Sequence, residues 1–185
     1  MGGNWQEVSA IISNGVAHFR GAEGAVSVSD DLTTISLTGL TFNDGAENKA
    51  AWTLTGNALT LIFPAIIDVQ ASTSTLALAV NSAIPVVKSG AGALRFSGGN
   101  RSSAGTTVNA GTLLIGETAE LGNGTLRLAG GNLAVVAGGE PGLVECSSAH
   151  NAITLSTAGT NLGVRLTTRM ANTNSNLAVT YPTNT

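Results

Sequence analysis

The chain has 185 residues, of which 24 are glycine, 10% are charged and 43% are hydrophobic, with 8 basic against 11 acidic side chains and a net charge of -3. So large an apolar fraction with so little charge excludes intrinsic disorder, the acidic balance excludes the basic surplus of a nucleic-acid binder, and only four prolines exclude collagen. The longest apolar run, Leu59–Val69, is interrupted by Thr60, Pro64 and Asp68 and falls short of the roughly 18 residues of a membrane-spanning helix.

Met1-Gly2-Gly3-Asn4 has neither the basic nor the apolar segment of a secretory leader. A leader removed or omitted is the expectation, because a surface rich in Ser, Thr and Asn points outside the cell. Asn4–Ile12 is read as a helical turn with Trp5, Val8, Ile11 and Ile12 on one face. After it the pattern changes to alternation. Leu40-Thr41-Phe42, Leu59-Thr60-Leu61, Leu76-Ala77-Leu78, Leu94-Arg95-Phe96, Leu113-Leu114-Ile115, Leu133-Ala134-Val135 and Ile153-Thr154-Leu155 each put their first and third side chains on one face of a short strand. By subtraction their starts lie 19, 17, 18, 19, 20 and 20 residues apart. A second series falls between them: Val86-Val87, Thr107-Val108, Thr125–Leu128, Leu143-Val144 and Leu162-Gly163-Val164. Glycines such as Gly92, Gly98, Gly111 and Gly131 stand at the ends of these strands, where tight corners need them.

Two architectures suit short strands at regular spacing. An antiparallel sandwich places strands 8–12 residues apart and joins them by hairpins. A parallel β-solenoid repeats one coil and stacks like residues over like, with rungs about 4.8 Å apart. The recurring doublets favour an all-β solenoid with coils of about 19–20 residues. In it Leu59, Leu76, Leu94, Leu113, Leu133 and Ile153 are expected to form one interior ladder. The length fits a single domain: residues 1–25 as an N-terminal cap and first coil, 26–165 as coils, and 166–185 as a last coil or tail.

The segment from Lys88 to Gly116 resembles the autotransporter-associated β-strand repeat, which reads K-x-G-x-G-x-L-x-L-S-G-x-N-x-Y-S-G-G-T-T-V-N-A-G-T-L. Lys88, Gly90, Gly92, Leu94, Ser97, Gly98, Asn100 and the run Gly105–Leu113 match it, while Ser102 replaces the usual Tyr and Ala104 a Gly. The likeness continues through Val135 and extends upstream across Trp5–Val87. It implies a right-handed parallel β-helix, exposed on or secreted from a bacterial cell. It implies no particular activity, because passengers of this kind include adhesins, enzymes and plain stalks. Nothing here resembles a membrane barrel, so the resemblance implies a passenger-like piece or a free secreted protein.

Chemistry-bearing residues are few. The acids are Asp30-Asp31, Asp44 with Glu47, Glu117 with Glu120, and Glu140 with Glu145. Polysaccharide-cleaving β-helices need carboxylates converging on one face, and Glu120 and Glu140, one coil apart, are the pair that would stack. The competing reading is solvated loop acids. His18 and His150 lack a hydrolase context: Ser147 and Ser148 lie near His150, but no G-x-S-x-G elbow is present. Cys146, the only cysteine, makes no disulfide within the chain and has no metal-ligand spacing to a histidine; it is read as an interior or corner residue. Gly90-Ala91-Gly92 and Gly122-Asn123-Gly124 lack the Lys-Ser/Thr of a phosphate loop. Asn109, Asn132 and Asn151 are expected to stack as a corner ladder that satisfies turn backbone. No catalytic, cofactor-binding or metal site is therefore expected, and no cofactor.

Trp5, Ile11, Ile12 and Phe19 are expected to cover the first coil, whose open strand edge would otherwise pair with another chain. Three readings of function follow. The first is a non-catalytic extracellular or cell-surface solenoid with a structural or adhesive role, pairing with itself end to end in a filament or matrix. The second is a polysaccharide-active β-helix enzyme. The third is a module that binds host or matrix glycans or surface proteins. Nucleic acid and direct membrane insertion are not expected.

Overall fold

The computed structural model describes residues 9–13, 15–20, 23–45, 49–98, 101–115, 126–136, 143–146, 152–156, 167–170 and 178–180. Among them there is no helix. In chain order the strands are β1 (Ser9–Ser13), β2 (Val16–Arg20), β3 (Ala25–Asp30), β4 (Ile35–Phe42), β5 (Ala51–Gly56), β6 (Leu59–Val69), β7 (Thr73–Leu76), β8 (Val80–Ser82), β9 (Val86–Ser89) and β10 (Ala93–Phe96). They continue as β11 (Arg101–Ser102), β12 (Thr106–Val108), β13 (Thr112–Ile115), β14 (Leu126–Leu128), β15 (Asn132–Val136), β16 (Leu143–Cys146), β17 (Ala152–Ser156), β18 (Thr167–Met170) and β19 (Ala178–Thr180).

The strands are dealt alternately into two stacks. One sheet runs β1-β2-β4-β6-β9-β12-β14-β16-β18, with β8 beside β6 and β11 beside β8; the other, of eight strands, runs β3-β5-β7-β10-β13-β15-β17-β19. Apart from the antiparallel β1–β2 pair, the paired strands are parallel. This is a parallel β-solenoid. The hydrophobic ladders join one rung to the next, and apolar side chains of the two sheets meet between them. In β7, β10 and β12 alternate residues are buried, as the i, i+2 pattern requires.

Register refines the expected ladder. Leu94, Leu113, Leu133 and Ile153 do stand opposite one another in successive rungs. Leu94, however, faces Ser74 on its other side, and Leu76 faces Phe96 and Leu54. Leu59 belongs to the other sheet, opposite Ile35 and Val80. The cause is coil length. Paired residues are 18 to 20 apart between Val86 and Leu155 (Val86 with Thr106, Leu126 with Val144, Leu133 with Ile153). Upstream the separation grows to between 21 and 27, as for Leu59 with Val80 and Gly39 with Ile66. The register shift between Leu37 and Gly39 absorbs part of the excess: Ile62–Ala65 of β6 have no partners in β4, and Phe63 stands 82% exposed.

Two further expectations are corrected. Ser9–Ile12 belong to strand β1, not to a helical turn; β1 hydrogen-bonds along the edge of β2, which satisfies backbone groups that a helix would leave facing water. Trp5 lies outside the described residues. Asn109 and Asn132 do not stack: Asn132 pairs with Thr112, whereas Asn109 donates its backbone N–H to Lys88 O at a corner. Asn151 is outside the described residues, as is Leu162–Val164; the strand that follows β16 in its stack is β18.

Candidate functional site

The most unusual position lies in a row that is interior from Ala17 to Leu128. Ala17, Leu40, Ile67, Lys88, Val108, Leu128, Cys146 and Met170 occupy equivalent positions in successive rungs of the first sheet. Seven are apolar and the eighth is a lysine. Alternation in β9 turns Val86 and Lys88 inward and leaves Val87 outward, and Lys88 is fully buried. A buried ammonium needs acceptors for its protons. Lys88 Nζ donates to Ser89 O at 2.9 Å, Gly90 O at 2.7 Å and Ala110 O at 2.9 Å. The first two carbonyls close the corner of its own coil and the third belongs to the corner one coil on. One side chain thus ties together the corners of two successive coils through three backbone carbonyls.

Burial pushes the Lys88 ammonium down to about 8, and the nearby Asp68 carboxylate works in the opposite direction. At neutral pH it therefore remains largely protonated, the state in which it has three N–H donors for three carbonyls. Asp68, opposite Ser89 in the rung below, accepts from Ser89 Oγ at 2.9 Å and from Gln70 Nε2.

The glycines of the motif belong to the same construction. Gly111 has φ +66°, and a Cβ there would sit 2.6 Å from Lys88 Nζ and overlap Gly92 O. Gly90 has φ +75°, and its Cβ would collide with Val69 O and Asp68 Oδ1. At both positions the neighbouring coil passes too close for any side chain.

A second polar brace holds the wide N-terminal coils. Asn43, buried at the end of β4, donates from Nδ2 to Ala50 O (2.9 Å) and Ala71 O (2.7 Å) and accepts from Trp52 Nε1 (2.9 Å). Trp52 packs against Phe19, whose ring stacks on Phe42 with centroids 4.7 Å apart. An inward corner asparagine does satisfy turn backbone as expected, but the residue is Asn43.

The predicted chemical residues do not assemble. Asp30 is buried and Asp31 exposed. Asp44 lies 3.5 Å from His18 Nδ1 and 3.7 Å from Arg20, a half-exposed cluster beside β2. Glu47, Glu117, Glu120, Glu140, Ser147, Ser148, His150 and Gly122–Gly124 fall outside the described residues, as do the side chains of Glu145 and Cys146. Arg127, Glu145 and Arg169 occupy equivalent backbone positions on three successive rungs, so charge alternates along that row. Among the described residues no three His, Cys, Asp or Glu side chains converge as metal ligands.

Two parallel stacks braced from inside define a β-solenoid scaffold. Residues 86–115 of it match the family model described as passenger-associated-transport-repeat, so the chain carries a repeat of the autotransporter-associated family. The match spans β9 to β13, one coil with its Lys88 brace and the start of the next. Repeat and solenoid together fit an autotransporter passenger-like domain. Comparison with curated proteins and with solved structures found no match.

In the sequence Lys88 stands out only as a letter of the motif. Its burial was available from the same i, i+2 rule, since Val86 and Lys88 share a face. Asn43 had no such signal, because a corner residue has no fixed phase.

Proposed function

We propose that the chain is a non-catalytic structural segment of a secreted or cell-surface protein, a rigid shaft that displays or spaces other parts. The observation that carries this reading is what the repeat's characteristic residues do. Lys88, Gly90 and Gly111 are all occupied in joining one coil to the next, which leaves none of them for a substrate. A family whose repeating residues build coil contacts is a family whose repeat is about shape. Adhesive contact with glycans or surface proteins, and end-to-end association with further copies, are the ways in which such a shaft would act.

The test is display. The chain is placed between a secretory leader and an autotransporter barrel, and intact cells are treated with protease. The expected result is an exposed, protease-resistant fragment of the chain's full size. Retention in the cell, or display as a readily degraded polypeptide, would overturn the reading. A glycan array and electron microscopy of the purified chain then separate adhesion from filament formation.

A further inference from the structure

Beneath the first rungs, between the two sheets, lies a cavity of about 440 Å³. Phe19, Leu37, Leu40, Leu54, Leu59 and Leu78 form its walls, all of them buried. The exposed Asp31 and Leu32 line it where it reaches the surface. Its size falls within the range of small-molecule sites, roughly 300–1,000 Å³, and an apolar lining with a few placed polar groups is their usual character.

The polar group is Asp30. It ends β3 at the position where alternation has turned Val28 inward, and its register partner Gly56 offers no side chain to it. The residue is 7% exposed. Oδ1 accepts the Leu32 N–H at 3.0 Å, but Oδ2 is buried with no partner. A buried carboxylate oxygen without a donor is unfavourable, and it becomes favourable when a ligand supplies the donor. Among the described residues that line the cavity there is no lysine, arginine or histidine, whereas two are acids. The complement is therefore a cation with an apolar body.

We propose that this cavity binds a small amphipathic amine, with its alkyl or aryl body against the leucines and its ammonium donating to the Asp30 carboxylate, which turns to bring the enclosed, unpartnered Oδ2 to it. The site is independent of the shaft reading: it gives the N-terminal coils a ligand that a plain spacer would not have.

Three probes share one body and differ in the head: phenethylamine, 2-phenylethanol and phenylacetate. Titration calorimetry on the full chain at neutral pH should show saturable binding of phenethylamine at one site, binding of the alcohol about tenfold weaker, and none of phenylacetate. Asp30→Asn should weaken the amine by about tenfold and leave the alcohol nearly unchanged. Ile35→Trp, which puts an indole into the cavity from a half-buried lining position, should weaken binding of both by about tenfold or more while circular dichroism stays that of the parent; it keeps the test decisive if Asp30→Asn does not fold. Equal affinity for amine and alcohol, amine binding unchanged in a folded Asp30→Asn or Ile35→Trp chain, or no binding of any probe would overturn the proposal.

Discussion

Replacing Lys88 by methionine keeps an unbranched side chain of similar reach and removes the ammonium. Three carbonyl oxygens, those of Ser89, Gly90 and Ala110, then lose their donor. Hydrogen bonds from a charged donor contribute about 1.5–3 kcal/mol each, and because these residues are half-buried the lower end applies, about 4.5 kcal/mol for the three. Against this stands the burial of the charge. A fall from 10.5 to about 8 corresponds to about 3.4 kcal/mol of penalty that methionine does not carry. The balance is a loss of about 1 kcal/mol, which in a chain of this size lowers Tm by about 2–4 °C. The assay is thermal unfolding followed by far-ultraviolet circular dichroism at neutral pH. The sign is what matters. Where burial of charge outweighs its hydrogen bonds, apolar replacement stabilises. A Lys88→Met chain with equal or higher Tm would refute the clamp.

The same lysine gives a pH dependence. Its folded value lies below its unfolded one, so between about pH 8 and pH 10.5 the unfolded chain holds the proton that the folded chain has released, and stability rises with pH across that window by up to about 3 kcal/mol. Subtracting the profile of Lys88→Met isolates this contribution; a difference that is flat or falls with pH contradicts it. Gly111→Ala should cost well above the roughly 1–2 kcal/mol of Gly24→Ala, since both have positive φ but only Gly111 is crowded by Lys88 Nζ and backbone; equal losses in denaturant titration would remove the close-approach argument. Leu113→Asp places an unpaired charge in the interior row and should leave no folded protein, since its cost of several kcal/mol rivals the whole stability margin; a soluble, folded variant would sink the ladder. Incubation with acidic and neutral polysaccharides should release no reducing sugar. Release that Glu120→Ala or Glu140→Ala abolishes would establish an enzyme instead.

Periodicity made the architecture legible where coils are uniform. Leu94, Leu113 and Leu133 are 19 and 20 residues apart and stack as read. It failed where coils widen. An L-x-L triplet looks the same in either sheet, so Leu59 was assigned to a row of the sheet it does not belong to, and Leu76, in the right sheet, to a row two residues out of register. Spacing alone contains no mark of the sheet, because corners of variable length absorb the difference. The site was half legible. The residues at Lys88 and Gly111 were visible as a motif, but the contact that explains them crosses 22 residues from Lys88 to Ala110 and exists only once the rungs are set. Asp30 looked like one more loop acid beside Asp31. Only the burial of one and exposure of the other separates them.

A ruler along one face tests the solenoid itself. Ser27, Thr53, Thr75, Arg95, Leu114 and Ala134 occupy one row, each opposite the next. With Cys146 replaced by serine, spin labels are placed at Ser27 and in turn at Thr75, Arg95, Leu114 and Ala134. Stacked rungs predict distances that climb by about 4.8 Å per rung and reach about 24 Å for the Ser27–Ala134 pair. Distances that rise and fall along the series, as antiparallel pairing would give, would contradict a parallel shaft.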